Sequence, residues 1–235
     1  MDGLIRKLSN QINQLQQTVK GILEKHGETQ VSTVNLSQVF GGLRGVIGLF
    51  CDTSSVKPDQ GLFVRGHKIN ELVDNLSEEI FYLLLTGSLP NGEELAELSN
   101  ALKANASLPD YVVDTLKSLP ATSHPMTMFN VGILAMQNES VFHKKYSEGI
   151  SKNDHWKYTL QDAIRLMGAV PAIAAAVYRI KFHGGNLIAP NPSLDWGANF
   201  AYMLGIPDES GDFAKLMKLY LVLHCDHEGG NASAY

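Results

Sequence analysis

The last twelve residues of the chain, HCDHEGGNASAY at 224–235, bring together residue types that readily do chemistry. Two histidines, two acidic residues and a glycine pair follow a long apolar helix pattern. His227 falls at the predicted C-terminal end of that helix, where the helix dipole favours imidazolium over neutral imidazole. A cationic donor at the edge of a pocket suits a carboxylate ligand. Paired glycines let a backbone approach such a ligand closely, and Asn231 and Ser233 supply short polar side chains.

Two other interpretations of this terminal motif stay open from the residues alone. One is a metal site, although HEGGN lacks the second histidine of a zinc-binding helix, and His224 with His227 makes only a minimal pair. The other is an ordinary helix end, in which Gly229-Gly230 stop the helix and the histidine is satisfied within the fold.

Two further stretches place positive charge beside polar turns. GGLRG at 41–45 is able to cradle a phosphate with Arg44, or is a simple glycine-rich turn. Lys152 lies close in sequence to Lys144 and Lys145, and this basic group is either an anion contact or a solvated face. His124, which precedes a proline at a predicted helix start, is interpreted as structural.

The elements that must position these residues are mainly helices. Residues 1–28 predict an N-terminal helix, 29–69 a small hairpin region with a PDQG turn, and 70–235 a helical core. The first helix has an apolar stripe at steps of 3 and 4, which either packs across the protein's own surface or forms a coiled-coil seam. The stripe consists of Ile5, Leu8, Ile12, Leu15, Val19 and Ile22.

Local signals set several helix boundaries within the predicted core. Ser77 is expected to cap one helix, and Asn91 followed by Glu94 has the spacing of a capping box. A long helix is predicted from about Trp156 to Phe182, and a proline within it, Pro171, should kink it unless it begins later. His227 is expected on the buried face of the last helix, together with the residues that precede it at steps of 4, 3 and 4: Leu216, Tyr220 and Leu223.

Composition narrows the class of protein. The chain has 235 residues, a net charge of -5 and no run of Lys or Arg, so a nucleic-acid-binding role is not expected. Charged residues are 18%, below the usual ~25%, which suggests apolar surface covered by a partner subunit or a large well-packed monomer. Two cysteines fit a reducing compartment. With neither an apolar run of membrane-spanning length nor a leader pattern, the sequence predicts a bacterial cytoplasmic protein, with the mitochondrial matrix as the alternative.

Several stretches, in order along nearly the whole chain, resemble the citrate synthase family in its mitochondrial-type form. They are GGLRGVIGL, DQGLFVRGHKI, LPATSHPM, AMQNES, YSEGI, SLDWGANFAYMLG and LYLVLHCDHEGGNASA. The resemblance implies a mainly α fold: the N-terminal part of the family's multi-helical large domain, over 1–235, without the small domain. It also implies condensation of acetyl-CoA with oxaloacetate to give citrate and CoA in a homodimer, with acetyl-CoA as co-substrate and neither a permanently bound cofactor nor a metal.

The resemblance also assigns roles residue by residue. His227 matches the histidine that holds oxaloacetate, and Asn231 matches a polar residue lining the same region. Ser233 stands where the family supports a catalytic histidine. Arg44 matches an arginine at the coenzyme A phosphates, and Lys152 stands where some relatives carry an arginine for that nucleotide.

The resemblance implies a chain about twice this length. The two catalytic histidines and the catalytic aspartate of the family match nothing within 1–235, so this segment is expected to be inactive by itself. Tyr235 departs from the histidine common at its position. Two alternatives remain: a non-catalytic assembly protein on the same scaffold, and 2-methylcitrate synthase, which takes a propionyl donor.

Overall fold

The computed structural model describes residues 1–48 and 50–227, which form a mainly α-helical fold with one small antiparallel sheet. The helices α1 to α11 span Asp2–His26, Leu36–Phe40, Ile69–Leu72, Ser77–Thr86, Gly92–Ala104, Asp110–Ser118, Pro125–Ala135, Val141–Ser147, His155–Phe182, Trp196–Leu204 and Asp212–Leu223. The strands β1 to β3 span Ser54–Lys57, Gly61–Val64 and His67–Lys68, and short 3-10 turns cover Met136–Glu139 and Lys152–Asp154. The predicted fold class is confirmed.

The long helix α9 lies at the centre and packs against α5, α6, α7, α8 and α10. Its buried residues are mostly small, which lets the neighbouring helices approach closely along its length. They include Gly168, Ala169, Ala172, Ile173, Ala175 and Ala176. The helix begins one residue before the predicted start and ends at the predicted Phe182.

The helical assignment of α9 continues through Pro171 without a break. Together with the 3-10 turn before it, the helix covers Lys152–Phe182, which by length and composition could cross a membrane. The sequence predicts no such span, because the segment contains no uninterrupted apolar run of that length. Half of its apolar window is buried against other parts of the fold. The core helix of a globular protein meets the same criterion, and the packing of α9 on five other helices fits that role.

The first helix packs along only part of its apolar stripe. Leu4 and Leu8 are buried against α4 and α5, and the ammonium of Lys7 lies 3.1 Å from Glu94 Oε1. Beyond Ile12 the stripe is exposed, with Leu15 58% accessible. The helix therefore crosses its own protein's surface over its first half, and its second half leaves an apolar face uncovered.

The sheet forms at the predicted PDQG turn. Strands β1 and β2 pair antiparallel, with Lys57 opposite Gly61 and Ser54 opposite Val64. Val64 is fully buried in a cluster with Leu72 and Val222, so the sheet rests on α3, α4 and the end of α11. This contact joins the N-terminal region to the terminal motif.

The observed helix N-caps match the sequence prediction at one helix and differ from it at another. The amide oxygen of Asn91 accepts from the backbone N–H of Glu93 and Glu94, and the Glu94 carboxylate accepts from Asn91 N at 2.9 Å, which confirms the capping box. Ser77 is not a cap, because α4 begins at Ser77 itself with Leu76 at the N-cap. Its buried hydroxyl has no hydrogen-bond partner among the described residues.

Candidate functional site

His227 lies beyond the last helix and is exposed, so its predicted place on a buried helix face is wrong. Helix α11 ends at Leu223, four residues earlier, and the step pattern does not extend that far. The stripe itself points outward: Leu216, Tyr220 and Leu223 are 55%, 52% and 41% accessible. The described structure therefore leaves the His227 imidazole available to a ligand.

His224, not His227, occupies the C-cap of α11. Its N–H donates to Tyr220 O at 3.1 Å, its Nδ1 lies 2.8 Å from the same carbonyl, and its ring stacks on Tyr220 at 4.1 Å. The position at the helix end that the sequence predicted for His227 is therefore taken by His224.

Asp226 holds the backbone of His227. One carboxylate oxygen, Oδ1, accepts from His227 N at 2.9 Å, and the other, Oδ2, accepts from the Thr53 hydroxyl at 2.5 Å. Thr53 lies just before β1, and Cys51 Sγ is 3.2 Å from the same hydroxyl. The loop after α11 is thus connected to the N-terminal sheet.

Arg65 braces the sheet side of this contact. Its backbone N–H donates to the carbonyl oxygen of Thr53 at 2.8 Å, and its guanidinium Nη1 forms an ion pair with Asp52 Oδ2 at 2.7 Å. Nε and Nη2 both donate to Leu84 O, at 3.0 and 2.7 Å, near the C-terminal end of α4. Arg65 adopts φ 47°, a left-handed conformation that few non-glycine residues take, and its contacts on both sides compensate for that strain.

Apolar packing supports the loop from the helix side. Val222 is fully buried against Val64, and the half-buried Cys225 packs on the same cluster. Burial raises the pKa of the Cys225 thiol, because desolvation disfavours the thiolate. Cys225 therefore serves as an apolar contact here.

The two predicted coenzyme A residues lie on the surface. Arg44 is exposed in a tight turn in which Gly42, Leu43 and Gly45 all have positive φ. Lys152 is exposed at the start of its 3-10 turn. Neither forms a hydrogen bond or ion pair with the other or with His227 in the described part of the chain, so the structure does not bring these three side chains into contact.

Other sequence candidates have simpler roles or lie elsewhere. His124 is the N-cap of α7, where its Nδ1 accepts from Met126 N at 3.2 Å. Lys145 pairs with Glu148, which neutralises part of the basic group. Asn231 and Ser233 lie outside the described residues. Among residues 1–48 and 50–227, no three His, Cys, Asp or Glu side chains are grouped to hold a metal.

Comparison with known proteins identifies the family. The sequence model described as citrate synthase, C-terminal domain, matches residues 42–235. Citrate synthase 4, mitochondrial, of Arabidopsis thaliana is 40% identical, over 97% of this chain and 50% of the relative. The peroxisomal citrate synthase of Saccharomyces cerevisiae is also 40% identical, over 93% of this chain and 49% of the relative. The chain belongs to the citrate synthase family.

This citrate synthase family chain spans about half the length of the curated relatives that it matches. Citrate synthase from Pyrobaculum aerophilum superposes with a TM-score of 0.72 at 29% identity, covering 85% of this chain and 50% of that one. A Thermoplasma acidophilum citrate synthase, described as a ternary complex with carboxymethyl coenzyme A and oxaloacetate, matches at TM-score 0.70 over 86% of this chain and 50% of that one. At 23% identity, this second likeness shows the fold alone.

Sequence reasoning missed three residues of the His227 surroundings, Asp52, Thr53 and Arg65, and it gave Asp226, an acidic residue of the terminal motif, no role of its own. Their contacts join positions up to 173 residues apart, and no periodicity or motif predicts such pairings. The sequence signal that was available is the acidic residue directly before His227.

Proposed function

We propose that the whole protein is a citrate synthase, which joins acetyl-CoA to oxaloacetate and releases citrate and CoA. In this reaction the acetyl methyl group loses a proton, its carbon forms a bond to the ketone carbon of oxaloacetate, and water then hydrolyses the thioester. The observation that carries the proposal is 40% identity to a citrate synthase along 97% of the chain.

Within that protein, we propose that His227 binds a carboxylate or carbonyl oxygen of oxaloacetate and that Asn231 lines the same pocket. The exposure of the His227 ring, together with the anchoring of its backbone by Asp226, supports this role. Arg44 and Lys152 would hold the coenzyme A phosphates, and their exposed cationic side chains suit a mobile anionic ligand. Ser233 would support a catalytic histidine beyond residue 235.

The proton transfers of the reaction require groups that the resemblance places outside this segment. A general base must take the methyl proton, and donors must stabilise the charge that develops on both carbonyl oxygens. His227 contributes binding and orientation instead. We therefore expect residues 1–235 alone to give no measurable turnover.

The test compares residues 1–235 with the full-length protein in an assay for free CoA thiol. Full-length protein should release CoA from acetyl-CoA only when oxaloacetate is present, and the segment alone should release none. Absence of release by full-length protein would overturn the assignment and favour an assembly role. Release that is faster with propionyl-CoA than with acetyl-CoA would indicate a 2-methylcitrate synthase.

We further propose a homodimer located inside the cell, either in the bacterial cytoplasm or in the mitochondrial matrix. The apolar side chains left exposed on the second half of α1 and on α11 support association with further protein surface. The relatives include mitochondrial and peroxisomal proteins. Light scattering of the full-length protein would give the oligomeric state directly.

A further inference from the structure

One side-chain hydrogen bond connects the His227 loop to a distant part of the chain. Thr53 precedes β1 and Asp226 follows α11, so the contact joins positions 173 residues apart. The hydroxyl is the donor, because an ionised carboxylate only accepts. The 2.5 Å separation lies at the short end of the range for a hydrogen bond from a hydroxyl to an ionised carboxylate.

The same carboxylate also holds His227 directly. Its Oδ1 accepts from the His227 backbone N–H at 2.9 Å while its Oδ2 accepts from Thr53. The two contacts depend on each other, since rotation of the carboxylate plane about the side-chain bond would break both. Removing the Thr53 hydroxyl would therefore leave the His227 N–H with a weakly held acceptor.

Both ends of this connection are firmly supported. On the sheet side, Thr53 O accepts from Arg65 N, and the Arg65 guanidinium joins Asp52 to the end of α4. On the helix side, Val222 is fully buried against the sheet. Asp226 thus links two rigid elements, and His227 is the residue immediately beyond that link.

From this geometry we infer that Thr53 and Asp226 are positioning residues that hold His227 in place to receive its carboxylate ligand. The inference rests on the proposed function, because it takes oxaloacetate as that ligand. An exposed imidazole on an untethered loop would sample many positions, and holding its backbone in place before binding removes part of that entropic cost from the binding step.

Nuclear magnetic resonance of the full-length protein, labelled selectively at histidine, tests the inference with two measurements. The first is hydrogen exchange at the His227 amide, and the second is oxaloacetate titration followed at the His227 imidazole. Thr53→Val removes the hydroxyl at nearly constant volume, Thr53→Ser keeps it, and Thr115→Val is the matched control. Thr115 is a half-buried threonine, and among the described residues its hydroxyl donates to Tyr111 O on its own helix, α6.

Thr53→Val should speed His227 amide exchange and weaken oxaloacetate binding, each about ten-fold, as expected for loss of one charge-assisted hydrogen bond. Thr53→Ser should restore both to about two-fold of the original values, since it restores most of that bond. Thr115→Val should change neither. Asp226→Ala, which removes both acceptors, should have an effect at least as large as that of Thr53→Val.

Three results would each contradict either the positioning role of Thr53 and Asp226 or the substrate contact of His227. Unchanged exchange and binding in Thr53→Val would overturn the inference entirely. Faster exchange with unchanged oxaloacetate affinity would overturn the positioning role and leave Thr53 a purely structural residue. If the unaltered full-length protein binds no oxaloacetate, the proposed substrate contact of His227 fails, whereas the exchange measurement still decides whether Thr53 holds the loop.

Discussion

The indole N–H of Trp196 donates to the backbone carbonyl of Met167 at 2.7 Å, and this carbonyl is the one that Pro171 leaves without a helical donor. In an unbroken α-helix the N–H of residue 171 would bond to Met167 O, but proline has no N–H. A side chain from α10 thus supplies the hydrogen bond that α9 lacks. This contact explains how α9 continues through a proline at the centre of the fold.

Trp196→Phe should lower the free energy of unfolding by about 1–2 kcal/mol beyond its packing loss, because it leaves this carbonyl unpaired. In a Pro171→Ala background, the restored backbone N–H can bond to Met167 O. The loss of free energy of unfolding caused by Trp196→Phe should then be smaller by about 1 kcal/mol. A double-mutant cycle, measured by chemical denaturation, gives this difference.

The other tryptophan provides the control for this cycle. Trp156 packs at the first turn of α9 and its indole has no hydrogen bond to that helix in the described structure. Trp156→Phe should lower the free energy of unfolding by the same amount whether residue 171 is proline or alanine. Equal costs for Trp196→Phe in the two backgrounds would contradict the compensation between Trp196 and Pro171.

Glu78 is a buried carboxyl whose ionisation should make stability depend on pH. Its Oε1 accepts from Trp196 N at 2.8 Å, whereas its buried Oε2 has no partner among the described residues. Burial raises the pKa of Glu78 above its usual value, and the charge of nearby Asp195 adds to the shift. The folded state therefore holds the proton more tightly than the unfolded state, and stability decreases as pH rises from the unfolded pKa through the raised one.

Glu78→Gln keeps an acceptor for Trp196 N and removes the buried charge. Relative to the unaltered chain, its free energy of unfolding should increase between pH 4 and pH 8, because only the unaltered chain loses stability as the buried carboxyl ionises. Urea denaturation at several pH values measures this difference.

Glu79→Gln serves as the control because the neighbouring residue lies in a different environment. The Glu79 carboxylate accepts from Leu76 N at 2.7 Å at the N-terminus of α4, where negative charge is favourable. Its replacement should destabilise the chain at neutral pH. A pH-independent effect of Glu78→Gln would show that the Glu78 charge carries no burial penalty.

Gly168 lies in close contact with the C-terminal end of α5. A Cβ atom at this position would lie 2.6 Å from Leu102 O and 2.8 Å from Asn105 Cβ, too near for the backbone of α5 to remain in place. Gly168→Ala should therefore destabilise the chain by about 2 kcal/mol, within the range for overpacked cores. Thermal or urea denaturation measures the loss.

Gly21→Ala is the matched substitution in open space, since nothing lies within 4 Å of a Cβ atom there. It should stabilise the chain by about 0.5–1 kcal/mol, because alanine favours a helix interior over glycine. A stabilising Gly168→Ala would contradict the close approach of α5 and α9.

The sequence predicts those features that depend on neighbouring residues. Glu94 follows Asn91 at the spacing of a capping box, and the structure contains that box. The PDQG turn separates β1 from β2 as expected, and α9 ends at the predicted residue. Each feature is encoded within a few positions, where spacing and backbone preference suffice to predict it.

The same local reasoning failed where a helix end was decided by packing. A regular step pattern extended the last helix to His227, but α11 ends at Leu223 and the supposed buried stripe is exposed. Apolar spacing identifies a stripe without identifying what covers it. Ser77 is similar: its residue type suggests a cap, yet α4 begins one position earlier than that role requires.

By itself, then, the sequence determined the helical class, the family and several local features such as the capping box and the hairpin turn. Only the tertiary structure decided what surrounds His227 and what supports the core. Thr53 meets Asp226 across 173 positions, Glu78 meets Trp196 across 118, and Met167 meets Trp196 across 29. Such contacts form because buried polar groups need hydrogen-bond partners, and folding places donors from distant parts of the chain beside them. The local sequence around each group does not specify which distant residue will be its partner.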